Sequence, residues 1–220
     1  MIQKYLKNYF LILSSLFVIL TLVGIYKNYS PVPYMDMWDG YLDFYVKASD
    51  GDWNAWFAQH NEHRTVFSNL LFFIDIHLFG GKNIFLLIAN FTLMASAAWL
   101  IIVIIKEIFI DLSEDNTSRY LPLIMGLFSI VMIFSWIQKE NIIWGFQSQF
   151  FAAYFFPLLS FYLLVKSVDK NSIFLYITSL FVGVVSAGTM ANGVMTLPIL
   201  LLLSLLLKNN FIKSALIFVI

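Results

Sequence analysis

Cysteine is absent from the 220-residue chain. That excludes a disulfide framework, a thiolate zinc site and a cysteine nucleophile, and it leaves cysteine usage silent about redox compartment. Charge is scarce as well. Charged residues make up 12% of the chain, about half the roughly 25% of a soluble domain. Lys plus Arg balances Asp plus Glu at 13 each, and a chain without surplus positive charge is a poor partner for a phosphate backbone, which excludes nucleic acid. The sequence has no Gly-rich phosphate loop, no GxSxG elbow and no haem-type signature. No polar stretch is long enough for a separate soluble domain.

Apolar runs fill the space that charge leaves. The chain is 60% hydrophobic with mean hydropathy +0.82, the composition of a polytopic membrane protein. The expected fold is all-α: a single membrane domain over 1–220, a transmembrane helix bundle of six to seven spans with surface helices in a long first external loop. A span needs about 20 mostly apolar residues. The expected spans are 10–26, 84–105, 120–137, 150–165, 173–190 and 194–207, with another starting at 211. Lys4 and Lys7 precede the first run, but the run is longer than a signal core and YKNYSPVPY lacks a small-x-small cleavage pattern, so it reads as a retained span. The apolar piece Val66 to Phe79 is short and contains Asp75 and His77, which makes it an interfacial or re-entrant helix.

Sidedness follows from Lys and Arg, which favour cytoplasmic loops. The N-terminus (Lys4, Lys7), the loop at 166–172 and the loop at 208–213 are basic and go inside. The segment 106–119 then also lies inside, although its acids outnumber Lys106 and Arg119. The loop 27–83 falls outside, together with 138–149 and the turn at 191–193. Every unusual polar motif thereby shares one face: MDMWD at 35–39, HNEHR at 60–64, QKEN at 138–141, WGFQSQ at 144–149 and ANG at 191–193.

The segment Tyr34 to Arg64 organises the chain. It holds Asp36, Asp39, Asp43, Asp50, Asp52 and Glu62, six of the 13 acids, and two of the three histidines, His60 and His63. Ionisable groups this dense at a membrane edge are candidates for function. Asp36 and Asp39, at i,i+3, share a helix face and can serve one proton, one metal ion or one acceptor hydroxyl. In HNEHR, His60 and His63 with Glu62 lack both zincin spacings, so protease chemistry is disfavoured. Arg64 is a natural clamp for phosphate or carboxylate. Lys139 and Glu140 read as a local surface pair or a binding pair. Trp144 offers a flat face on which a sugar can stack, and Gln147 and Asn192 offer neutral hydrogen-bonding groups at span ends. Capping and helix-end satisfaction are the plainer uses of all of these. Within the loop, Asp43 and Lys47 pair at i,i+4, and Asp52 caps a short helix through Trp53, Ala55, Trp56 and Phe57.

A first span, then a long external loop with acids just after it and two surface helices, then short-loop spans, resembles the GT-C superfamily of membrane glycosyltransferases. The resemblance implies transfer of a sugar from a polyprenyl-phosphate carrier to a glycan or lipid acceptor of the cell envelope, in the cell membrane, with the active loop on the external or periplasmic side. It implies Asp36 or Asp39 as catalytic base, and His60, Glu62, His63, Arg64, Lys139, Glu140, Trp144, Gln147 and Asn192 as substrate- or phosphate-binding residues. A divalent cation, Mg or Mn, could offset the phosphate charge. The chain resembles the N-terminal module of such enzymes, which are commonly longer. The alternatives are a non-catalytic carrier, flippase or assembly partner for lipid-linked saccharides, and a metal-dependent hydrolase using His60, Glu62 and His63.

Overall fold

No proline interrupts residues 2–28, and the computed structural model, which describes residues 2–112, 120–207 and 217, makes them one helix, α1 (Ile2–Asn28). The Asn28 side chain closes it by donating to the Gly24 carbonyl at 2.8 Å. Pro31 and Pro33 then keep the chain extended. A π-helical turn (Trp38–Asp43) leads directly into α2 (Phe44–Ser49), and a 3-10 turn follows at Trp53–Phe57. The Asp52 carboxylate caps that turn by accepting from the Asn54 N–H at 2.9 Å, and Asp43 and Lys47 make their i,i+4 pair at 2.5 Å.

Helix α3 (Val66–Phe79) has 14 residues and ends on Gly80 and Gly81, both at positive φ. At 1.5 Å per residue it is about 21 Å long, short of the roughly 30 Å hydrocarbon core. Next come α4 (Ile84–Leu112), α5 (Leu121–Ile133), α6 (Lys139–Ile143), α7 (Ser148–Asp169), α8 (Ile173–Ala187) and α9 (Thr196–Leu206). Among the described residues every regular element is helical, and four stretches are long and apolar enough to cross a membrane: Gln3–Asn28, Ile84–Phe109, Leu121–Ile143 and Gly145–Asp169. The pieces expected as spans at 173–190 and 194–207 are apolar helices of 15 and 11 residues. The start of a span at 211 and most of the loops at 106–119 and 208–213 lie outside the described residues.

The span expected to reach 137 breaks four residues earlier as regular helix. Ser135 takes an extended conformation, and its hydroxyl accepts from the Ile137 N–H to begin a new turn, while the Gln138 amide turns back to donate to the Ile133 carbonyl. The local side-chain bonds compete with the helix ladder and win there.

In space α4 packs against α5 and α7, with α1 against α5 and α8 against α7. Small residues allow the approach: Ser160 and Ser179 each donate a hydroxyl to the other's carbonyl, at 2.7 and 2.9 Å, joining α7 to α8. Outward faces are apolar, with Ile12, Ile88, Trp99, Phe174 and Phe181 exposed. Apolar surface on that scale is not left to water in a soluble protein, and helices satisfy their own backbone groups in lipid. The chain is a membrane protein.

Candidate functional site at one end of the bundle

The polar motifs meet at one end of the bundle, and the contacts that join them can be followed one by one. Tyr29 donates its hydroxyl to the Lys82 carbonyl at 2.9 Å, tying the exit of α1 to the start of α4. Asn90 donates to the Trp144 carbonyl. His63 accepts the Ala191 N–H on Nδ1 at 3.2 Å, and the Phe67 N–H donates to the Gly188 carbonyl, so the turn after α8 docks on the start of α3. At the other end of the same helices stands a separate ionic group: Lys166 lies 2.9 Å from Glu107, which also accepts from the Tyr162 hydroxyl.

MDMWD and HNEHR come together. His60 and His63 face each other across a tight two-residue turn, exchanging backbone N–H···O bonds at 2.8 and 3.0 Å, with Asn61 at φ +51. Asn is among the residues that tolerate this conformation. The two rings then go separate ways. His63 reaches Ala191, while His60 turns toward the first loop and places Nε2 3.7 Å from Asp36 Oδ2. Asp39, one turn on, borders a cleft of about 220 Å³ that His60 also lines, together with Asp43, Lys47, Gln59 and Asn69. Of the two i,i+3 acids, Asp36 approaches the histidine directly and Asp39 lines the same cleft as His60. At the exposed lip of the cleft Lys47 is paired with Asp43 at 2.5 Å, which raises the pKa of its ammonium above the ordinary lysine value.

Gly40 makes this arrangement possible. A Cβ there would fall 2.7 Å from Phe146 and 3.1 Å from the His60 ring, so only glycine lets the turn carrying both acids press against them. The Phe146 ring lies 5.5 Å from the His60 ring and 5.4 Å from Trp144, and Trp144 meets Tyr34 at 5.8 Å. This row of rings separates the small cleft from a larger one of about 490 Å³, whose lining includes Tyr34, Met37, Asn83, Lys139, Glu140 and Trp144. Lys139 and Glu140, expected as a local pair or a binding pair, are not ion-paired among the described residues and both face this cleft. A third, largely apolar groove of about 450 Å³ runs between α1 and α4 and is lined by Leu22, Ile25, Tyr29, Ile84 and Phe91.

Other expected site residues stand apart. Glu62, Arg64 and Asn192 are exposed and line none of these three cavities. Gln147 is buried and accepts from the Gln149 amide at 3.4 Å, within the protein. Among the described residues no three His, Asp or Glu side chains gather into a group able to hold a metal ion. The Asp36–His60 pair by itself is too few ligands for a closed, all-protein metal site.

Sequence reasoning passed over a buried latch beneath the site. Asp75 of α3 is fully buried; the Tyr41 hydroxyl donates to its Oδ2 at 2.5 Å and the Asn83 N–H donates to the same oxygen at 3.2 Å. Burial pushes the Asp75 carboxyl above the usual carboxylate range, opposed by its hydrogen bonds from Tyr41, Asn83 and Phe85. The same burial, with Asp75 alongside, pushes the Tyr41 phenol well up. Tyr41 sits in the turn that carries Asp39, so the latch joins the acid-bearing loop to α3 and to the start of α4. The only signal in the sequence was an acid within an apolar helix.

Compared with known proteins, the chain matches no family model, no curated protein and no solved structure.

Proposed function

We propose that the chain is a membrane glycosyltransferase of GT-C type, which moves a sugar from a polyprenyl-phosphate donor to a glycan or lipid acceptor of the cell envelope, with the 27–83 loop on the external side and the N-terminus in the cytoplasm. The observation that carries this reading is the meeting of Asp36 and His60, 3.7 Å apart, beside a cleft that also holds Asp39 and Lys47. Acids and a histidine at a helix-bundle end suit group transfer between a hydroxyl and a phosphate ester. The apolar groove between α1 and α4 opens at the same end and suits a prenyl chain. Charge is concentrated in the loop and sparse in the helices, which favours chemistry at the surface over passage through the bundle.

In this mechanism Asp36, half exposed and facing His60, takes the proton of the acceptor hydroxyl. The acceptor oxygen bonds to the anomeric carbon from the face opposite the carrier. The bond from that carbon to the phosphate oxygen breaks, and the lipid phosphate leaves with the electron pair, so the product is inverted. His60, the imidazole beside the base, hydrogen-bonds the leaving phosphate oxygen and offsets the charge that develops there. Among the described residues no three His, Asp or Glu side chains gather at the site, and no step is assigned to a cation.

The test is transfer from polyprenyl-phosphate sugars in reconstituted membranes. Loss of a positioned general base typically costs about 10²–10⁴-fold. Asp36→Asn should lose that much with donor binding retained, and Asp39→Asn should lose less. Equal activity of wild type and both variants, or no transfer by the wild type on any donor, would move the assignment to the carrier reading.

A further inference from the structure

The larger cleft lies across the ring row from the acids and has a chemistry of its own. We propose that it is a saccharide subsite for the neutral, hydroxyl-rich acceptor, an assignment that rests on the glycosyltransferase reading above. Its volume of about 490 Å³ falls among small-molecule sites of ~300–1,000 Å³, whereas the small cleft falls below them. Tyr34 and Trp144, edge to face at 5.8 Å and 70°, present the apolar surface that the C–H face of a sugar ring covers. Asn83, Lys139 and Glu140 add donors and acceptors of both kinds. One Lys and one Glu leave the lining without net charge, which suits a polyol; a phosphate would call for surplus Lys or Arg.

The wall of the cleft is fixed: Asn83 is only 5% exposed, its amide donates to the Ser30 carbonyl, and Ser30 lines the cleft with it. The chain also threads the cleft to the acids. Met35 and Met37 line it, and Asp36 between them reaches over to His60. Met35 is held at φ +47, a left-handed conformation that costs a non-glycine residue strain and tends to occur at functional sites. An acceptor seated against Trp144 thus has the base at its edge.

The experiment uses the full chain in nanodiscs and the methyl glycosides of glucose, galactose, mannose and N-acetylglucosamine as probes, with binding read by saturation-transfer NMR. At least one glycoside should bind. Trp144→Leu should weaken it tenfold or more, and Trp144→Phe, which keeps a ring and removes the N–H, should fall between that variant and wild type. The same glycoside should accept sugar in the transfer assay. Transfer without glycoside binding, or binding indifferent to Trp144, would overturn the subsite and leave the transferase reading standing. Binding without transfer from any donor would overturn the acceptor role together with that reading. Displacement of the glycoside by inorganic phosphate or by the polyprenyl-phosphate sugar would give the cleft to the donor and overturn the proposal.

Discussion

Asp75 shows how one side chain can hold a site it does not touch. Its carboxyl receives the Tyr41 hydroxyl and the Asn83 N–H, so removing it strands buried donors on two different segments. An unsatisfied buried donor costs about 1–3 kcal/mol, and Asp75→Leu should lower stability by about 3 kcal/mol, read as the thermal midpoint in detergent. Asp75→Asn keeps an acceptor oxygen and should lose much less. The pH dependence separates the two effects. The Asp75 carboxyl lies above the usual carboxylate range because burial disfavours its charge. A raised folded-state value means that the group's stabilising contribution is complete below the ordinary carboxylate value and is lost as pH rises through the folded one. The wild-type midpoint should therefore decline as pH rises above the ordinary carboxylate value, relative to Asp75→Asn, which cannot ionise. Parallel profiles for the two proteins would mean that Asp75 does not titrate differently in the fold.

Among the elements, the short connection between α6 and α7 matters more than its length suggests. Gly145 brings it against the start of α4 so closely that a Cβ would fall 1.8 Å from Asn83 Oδ1 and 2.8 Å from Leu86 Cβ. Asn83 is shared by the latch and the larger cleft, so the connection sets the geometry of both. Overpacking a contact of this kind costs about 1–3 kcal/mol. Gly145→Ala should lower the thermal midpoint by a corresponding amount, and it should weaken transfer more than a surface change such as Asn192→Ala does. If Gly145→Ala matches wild type in both measurements, the approach of α7 to α4 is looser than the structure shows.

At the scale of the whole molecule, the absence of cysteine becomes an experimental advantage. Contacts place Asn61–Arg64 and Ala191 at one end of the bundle and Glu107, Lys166 and Asp169 at the other. Single cysteines at Glu62, Asn192 and Asp169 are then unique handles for a membrane-impermeant maleimide. From the external side of intact cells, Glu62→Cys and Asn192→Cys should label and Asp169→Cys should label only after permeabilisation. Labelling of Asp169→Cys alone would invert the proposed orientation, and labelling of Glu62→Cys and Asn192→Cys from opposite sides would break the shared face.

Composition and hydropathy by themselves determined the helical membrane class, because burial of a chain in lipid depends on local apolar content that can be read in windows of about 20 residues. Local side-chain chemistry was equally legible: the Asp52 cap and the Asp43–Lys47 pair act within four residues of themselves. The candidate site was legible only as ingredients. That Asp36 reaches His60 while His63 turns away to Ala191, that Asn83 and Trp144 share a cleft, and that Asp75 serves Tyr41 across 34 positions are contacts between segments far apart in the chain. No periodicity encodes such contacts; the packing of α3 and α4 around the loop decided them, because only there do the buried polar groups find their partners.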